Sequence, residues 1–374
     1  MAEKMRIMDQ PSDFKKLEID PKKDQAWEEG RRDTSKAGTD EVWYFDAILD
    51  DKSKAVVYFH PKSPYKLRKD GDFPDIGILI TDSQGKTYGK QIIEYPAKDS
   101  HFGKNKCDIK VGPHSVVGDF SGYDIHIDKV SGVAADLHFK ALVDPFKQGH
   151  TAEIALGDSE QYHYTDLNVT KSKVTGTLFY ADKTHKVSGL GYHDHQWENI
   201  SPIRAYHHWL WGHLYTDKYT VMIYDFVGNK RFGFKRVPFF GVIDNKTGHV
   251  TFMTDGHFSL DTKMAYNSTL KRSFPKVSHY VFQNAGDSKK YDFTVIAKQS
   301  LETRNMVGNA NLAQKVAFRI MHISPVYMRY FAHGTLKIID HGKVDQSEGD
   351  MIYEYNYAGY PKEAKLAGIS GIKN

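Results

Sequence analysis

Cysteine is almost missing from this chain: Cys107 is its single thiol, which excludes an intrachain disulfide and fits a reducing compartment, so a cytoplasmic protein is expected. Long apolar runs are missing too. Nowhere do about 18 apolar residues follow one another, as a membrane-spanning helix requires, so no transmembrane segment is expected, although peripheral membrane contact is left open. The charged stretch from Met1 to about Asp40 has no apolar centre of the kind a signal peptide carries. An excess of one charge is also lacking, since 51 Lys and Arg face 47 Asp and Glu with no basic stripe. Nucleic acid is therefore not an expected partner.

Aromatic residues are plentiful instead: 23 Tyr, 21 Phe and 5 Trp in 374 residues. Such residues favour strands and also line hydrophobic ligand pockets, so a β-rich protein with a greasy interior is expected. Strand-like runs recur in both halves: Glu41–Leu49, Lys54–His60, Asp75–Thr81, Lys86–Tyr95, Tyr123–Val130 and Val133–Val143, then Trp209–Tyr215, Tyr219–Val227, a hairpin from Phe239 to Thr254, Val277–Gln283, Tyr291–Ser300, Thr335–Asp340 and Met351–Tyr357. Helical period is convincing only over Asn311–Met321, where Leu312, Val316 and Ile320 recur four apart and the segment could cover a barrel mouth. The pattern predicts an all-β chain of antiparallel barrels or sandwiches with minor helix.

The segment Gly189-Leu190-Gly191-Tyr192-His193-Asp194-His195-Gln196-Trp197-Glu198-Asn199 concentrates chemistry. As a strand, it places Tyr192, Asp194 and Gln196 on one face and His193, His195 and Trp197 on the other. If the first face meets an apolar cavity, Asp194 is a dry carboxyl with a raised pKa, able to donate a proton to an alkene. The bland alternative is an Asp that braces a turn or barrel end. The second face offers two imidazoles as a metal site requires, with His207, His208 and His213 nearby. However, one cysteine and no His-Glu-x-x-His pattern leave no diagnostic third ligand. A hydrogen-bonded histidine pair orienting Asp194 and Tyr192 is preferred, with no metal and no cofactor.

The chain resembles the carotenoid 1,2-hydratase (hydroxyneurosporene synthase) and AttH-like family. Glu41-Val42-Trp43-Tyr44 is similar to the Glu-Trp-Trp-Tyr that opens its first barrel. Gly189 to Trp197 is similar to a Gly-x-Gly-Tyr-x-Asp-His-Asn-Trp-Gly signature, and Trp209-Leu210-Trp211-Gly212 to a Trp-x-Trp-Gly element. Gln196 and Glu198 depart from the signature, where the family has Asn and Gly. The resemblance implies two lipocalin-like β-domains, divided here as a polar arm 1–40, a first domain 41–195 and a second 196–374. It also implies a cofactor-independent hydratase or a relative of one, in which Asp194 protonates an isoprenoid or lipid-like double bond while Tyr192 and a neighbouring histidine place water.

On that footing Asp194, Tyr192, His193, His195 and His163 are the candidate catalytic residues, with His163 as a water-activating base. Trp43, Tyr44, Trp197, Trp209, Trp211, Gln196 and Glu41 are the candidates for contact with a hydrophobic small-molecule substrate. Three of these carry a second reading: Trp43 and Tyr44 as packing at a barrel end, and Glu41 as a buried acceptor tying the motifs together. A carrier without turnover, and a pericyclase or isomerase shaping a polyene, remain as alternatives.

Overall fold

The computed structural model describes residues 2–253, 256–268, 270–305, 312–320 and 323–359, with 363, 365, 367 and 368. The protein is mostly β, with 62% strand and 9% helix among the described residues. It forms two compact units. One comprises Ile7–Ala155 and Gln161–Ser201, and the other comprises Met1–Arg6, Leu156–Glu160 and Pro202–Asn374. Each unit is built on an antiparallel sheet curled into a half-barrel. Among the described residues no helix is long and apolar enough to cross a membrane.

The motif strand Lys183–Glu198 sits in the middle of the first sheet, between Asp40–Leu49 and Tyr162–Tyr180. Beyond Asp40–Leu49 follow Lys54–His60, Asp75–Thr81 and Thr87–Glu94. Beyond Tyr162–Tyr180 follow Val133–Ala141, Gly122–Val130, His114–Asp119, Cys107–Val111 and Ser100–Phe102. Alternation decides which side is the core. Trp43, Phe45, Ala47 and Leu49 point inward from one strand, and Ile125, Ile127, Leu137 and Phe139 meet them from others in one buried apolar cluster.

In the second sheet Tyr206–Tyr215 lies between Tyr219–Gly228 and Lys343–Gly359. Arg236–Asp244 and Val250–Phe252 extend it on one side. Ile323–Asp340, Lys290–Asn305, Arg272–Asn284 and Gly256–Asn267 extend it on the other. Its core gathers Leu210, Leu214, Ile223, Phe240, Phe293 and Tyr353.

Several sequence expectations need correction. The strand Lys183–Glu198 carries Gln196, Trp197 and Glu198 in the first sheet, because all three keep their pairing with Val42, Glu41 and Asp40. The stretch before residue 41 is more than a polar arm: Ala26–Glu29 is a 3₁₀ turn whose Glu28 and Glu29 are buried. The helix is present over Leu312–Ile320, yet Leu312, Val316 and Ile320 are exposed rather than packed down. Asn311, Met321 and Thr254, which bound two expected elements, lie outside the described residues.

Candidate functional site

The motif strand divides its side chains as the period of two requires. On the core side, His193 stacks on Phe45 at 4.1 Å between ring centres, and His195 stacks on Trp43 at 4.3 Å. Gly191 belongs to this side, and a Cβ there would sit 2.4 Å from Phe139 and 2.5 Å from Val174. Only glycine lets the core close at that point.

Both imidazoles are fully hydrogen-bonded. His193 Nδ1 lies 2.9 Å from the Tyr44 carbonyl and its Nε2 lies 2.9 Å from Glu29 Oε2. His195 Nδ1 lies 3.0 Å from the Glu28 carbonyl and its Nε2 lies 2.8 Å from Glu41 Oε1. A carbonyl only accepts, so each Nδ1 carries a proton, and the second proton of each pair lies between Nε2 and a carboxyl.

The two pairs settle that proton differently. Burial would raise Glu29, but His193, with smaller contributions from His195 and the Tyr123 hydroxyl, holds it below the usual range, so this carboxyl accepts at His193 Nε2. Burial raises Glu41 to about 8. Burial likewise lowers His195 to about 3. At neutral pH this second pair is a protonated Glu41 donating to a neutral His195. Glu41 also accepts the backbone N–H groups of Arg32 at 2.7 Å and Asp33 at 2.9 Å. The structure thus makes Glu41 a buried acceptor joining the opening segment to the motif.

The opposite face is buried as well, and it is not the apolar cavity the sequence suggested. Phenols and carboxyls cover it, in the same Tyr-x-Asp spacing on three neighbouring strands: Tyr44 and Asp46, Tyr192 and Asp194, Tyr164 and Asp166. Antiparallel register sets Tyr44 directly across from Asp194, and Asp46 across from Tyr192. Asn168 faces Asp194 from the other side. Tyr44 donates to Asp46 and Tyr164 to Asp166, each at 3.0 Å. Asp40 and Glu198 oppose one another farther along the same face. Burial raises both, Asp40 to about 6 and Glu198 well above its usual range.

Asp194 lies in the middle of these acids. Its side chain is 1% exposed. Burial first, then the charges of Asp166 and Asp46, hold its carboxyl well above the ordinary range, against hydrogen bonding with Tyr192 and Gln196. Asn168 fixes the direction of the local hydrogen bonds: its Nδ2 donates to the Asp166 carbonyl at 2.9 Å, so its Oδ1 accepts the hydroxyl proton of Tyr192. Asp194 Oδ1 has no hydrogen-bond partner among the described residues.

The remaining predicted residues are dispersed. Trp43 is completely buried in the half-barrel core, where its Nε1 donates to the Glu29 carbonyl at 3.0 Å. Trp197 leans on His195 at 4.8 Å, on the core side. His163 is half-buried with its pKa lowered by burial, and its backbone binds the Asn199 side chain at 2.8 Å. It stands five residues along the strand from Asn168 and on the other face, roughly 16 Å away. Trp209 and Trp211 belong to the other unit, where Trp209 Nε1 donates to Glu354 at 3.1 Å. His207, His208 and His213 lie on that same strand of the other unit. Among the described residues no group of three or more His, Cys, Asp or Glu is arranged to hold a metal ion.

Reading by sequence missed Asp46, Asp166, Tyr164, Asn168 and Glu29. The repeated Tyr-x-Asp spacing would have found the first three.

No family model matches the sequence, and no curated protein does. Solved structures do match. A Nitrosomonas europaea protein described as a putative AttH superposes with a TM-score of 0.57 at 13% identity, over 86% of this chain and 92% of that one. The chain has the AttH-like fold. CghA, in a structure with Sch210972, gives a TM-score of 0.60 at 12% identity over 86% and 89% of the two chains. Kievitone hydratase of Nectria haematococca gives 0.54 at 13% identity over 88% and 91%. Identities this low establish the shared fold, and enzymes are among the proteins that use it.

Proposed function

We propose that this protein is a cofactor-independent hydratase or dehydratase acting on an alkene of an apolar, isoprenoid or lipid-like substrate. The observation that carries the reading is Asp194: a buried carboxyl held protonated, with Oδ1 committed to no other group. An acid poised this way supplies general acid catalysis at neutral pH. The alkene π electrons take the Asp194 proton and leave a carbocation. Water adds its oxygen to the cation and returns a proton to the Asp194 carboxylate, so the net change is one water. Tyr192, donating to Asn168, and the phenols of Tyr44 and Tyr164 border the same face. Their ring faces suit a developing cation. A carrier without turnover has no use for so costly a set of buried carboxyls.

Sharing a fold with kievitone hydratase supports water chemistry, and sharing it with CghA keeps a cyclising or isomerising reaction on a polyene as the second reading. The two separate by mass. A panel of apolar alkenes that includes kievitone, incubated in ¹⁸O-labelled water, should yield a product carrying one added labelled water. Asp194→Asn keeps the shape and removes the transferable proton, so turnover should fall by roughly 10²–10⁴ while the ligand still binds. An unchanged rate in a folded Asp194→Asn protein would end the assignment. A product of unchanged mass would transfer the site to the second reading.

A further inference from the structure

Eight large apolar side chains are well exposed among the described residues, and three of them stand on the nine-residue helix Leu312–Ile320: Leu312 at 79%, Val316 at 47% and Ile320 at 73%. At about 100° per residue, positions four apart drift by only about 40°, so the three form one stripe along the helix. Lys315 and Arg319, also exposed, border that stripe on one side. The helix lies against the strand Ile323–Asp340, and Ala317 and Phe318 are half-buried. The helix contains no acidic residue. Apolar side chains are thus displayed where packing would ordinarily hide them, with cations beside them.

We infer that this helix is a docking face for an anionic lipid surface. Insertion of Leu312, Val316 and Ile320 among acyl chains removes exposed apolar area from water, while Lys315 and Arg319 meet the headgroup charge. Charge argues against a second copy of this chain as the occupant, because a two-fold contact across the stripe would set Lys315 and Arg319 against their own equivalents. Delivery of a water-insoluble compound from a membrane would follow, but the docking stands on the helix alone and not on the acid site.

The test is co-sedimentation of the full chain with vesicles of phosphatidylcholine alone and of phosphatidylcholine with phosphatidylglycerol. Binding should appear on the anionic vesicles and weaken as salt rises. Leu312→Ser with Ile320→Ser should reduce binding at least tenfold with an unchanged melting temperature, since both side chains are exposed. Lys315→Gln with Arg319→Gln should abolish the preference for anionic over neutral vesicles. Equal binding by wild type and both variants would overturn the inference, as would no binding at all. A wild type that self-associates in the ultracentrifuge, with a monomeric serine variant, would also overturn it in favour of a second copy.

Discussion

Replacing Glu41 by Gln should change how stability depends on pH, and the change can be worked out from the His195 pair. In the folded protein Glu41 keeps its proton up to about 8, whereas its ordinary value is 4.5. Between those values the folded state binds more protons than the unfolded chain, so stability falls as pH rises. His195 works in the opposite sense. Its folded value is about 3 against an ordinary 6.5, so over that range the unfolded chain binds more protons and stability falls as pH drops. From 4.5 to 6.5 the two slopes cancel. From 6.5 to 8 only the Glu41 slope remains, at about 1.4 kcal/mol per pH unit, or about 2 kcal/mol over the interval.

Glu41→Gln removes that slope at a structural cost. An amide nitrogen that donates to His195 Nε2 faces the Arg32 N–H with a donor, and a buried N–H left without an acceptor costs about 1–3 kcal/mol. Urea unfolding of both proteins at pH 6.5 and pH 8 is the assay, and all other titrating groups cancel in the difference. The variant should be the less stable at the lower pH, with the gap moving about 2 kcal/mol in its favour at the higher. A gap that stays constant would mean Glu41 is ionised in the folded protein, refuting the neutral pair.

Two further substitutions probe the same strand. His193→Ala leaves the Glu29 carboxyl buried without its hydrogen-bond partner and should cost about 3–5 kcal/mol in urea unfolding, much of it recovered when Glu29→Gln is added; simple additivity would contradict the coupling of the two side chains. Gly191→Ala drives a methyl group into Phe139 and Val174 and should lower stability by about 1–3 kcal/mol, whereas a neutral effect would show that the core can yield there.

Strands with an apolar core face were legible: Lys54–His60 and Asp75–Thr81 have the bounds that alternation predicts. Tyr162–Tyr180, the neighbour of the motif strand, was not. In its first half the outward residues Tyr164, Asp166, Asn168 and Thr170 are buried yet polar, so no apolar alternation marks that stretch. The same cause hid much of the site: the repeated Tyr-x-Asp spacing marks Asp46 and Asp166, but that they share a face with Asp194 is fixed by the register. The split of the motif into an Asp194 face and a histidine face was legible, since it needs nothing beyond the strand period. Glu29 was not, because its partner His193 lies 164 residues away in sequence. A charged stretch before residue 41 gives no local sign that two of its carboxylates are core residues.

Acid catalysis by Asp194 requires its carboxyl to be protonated at neutral pH. Infrared difference spectroscopy of wild type against Asp194→Asn, titrated from pH 5 to pH 8, tests this directly. A protonated-carboxyl C=O band should be present in the wild type at neutral pH, persist upward through the titration and vanish in the variant. A carboxylate band from Asp194 throughout that range, with no protonated band to lose, would contradict it.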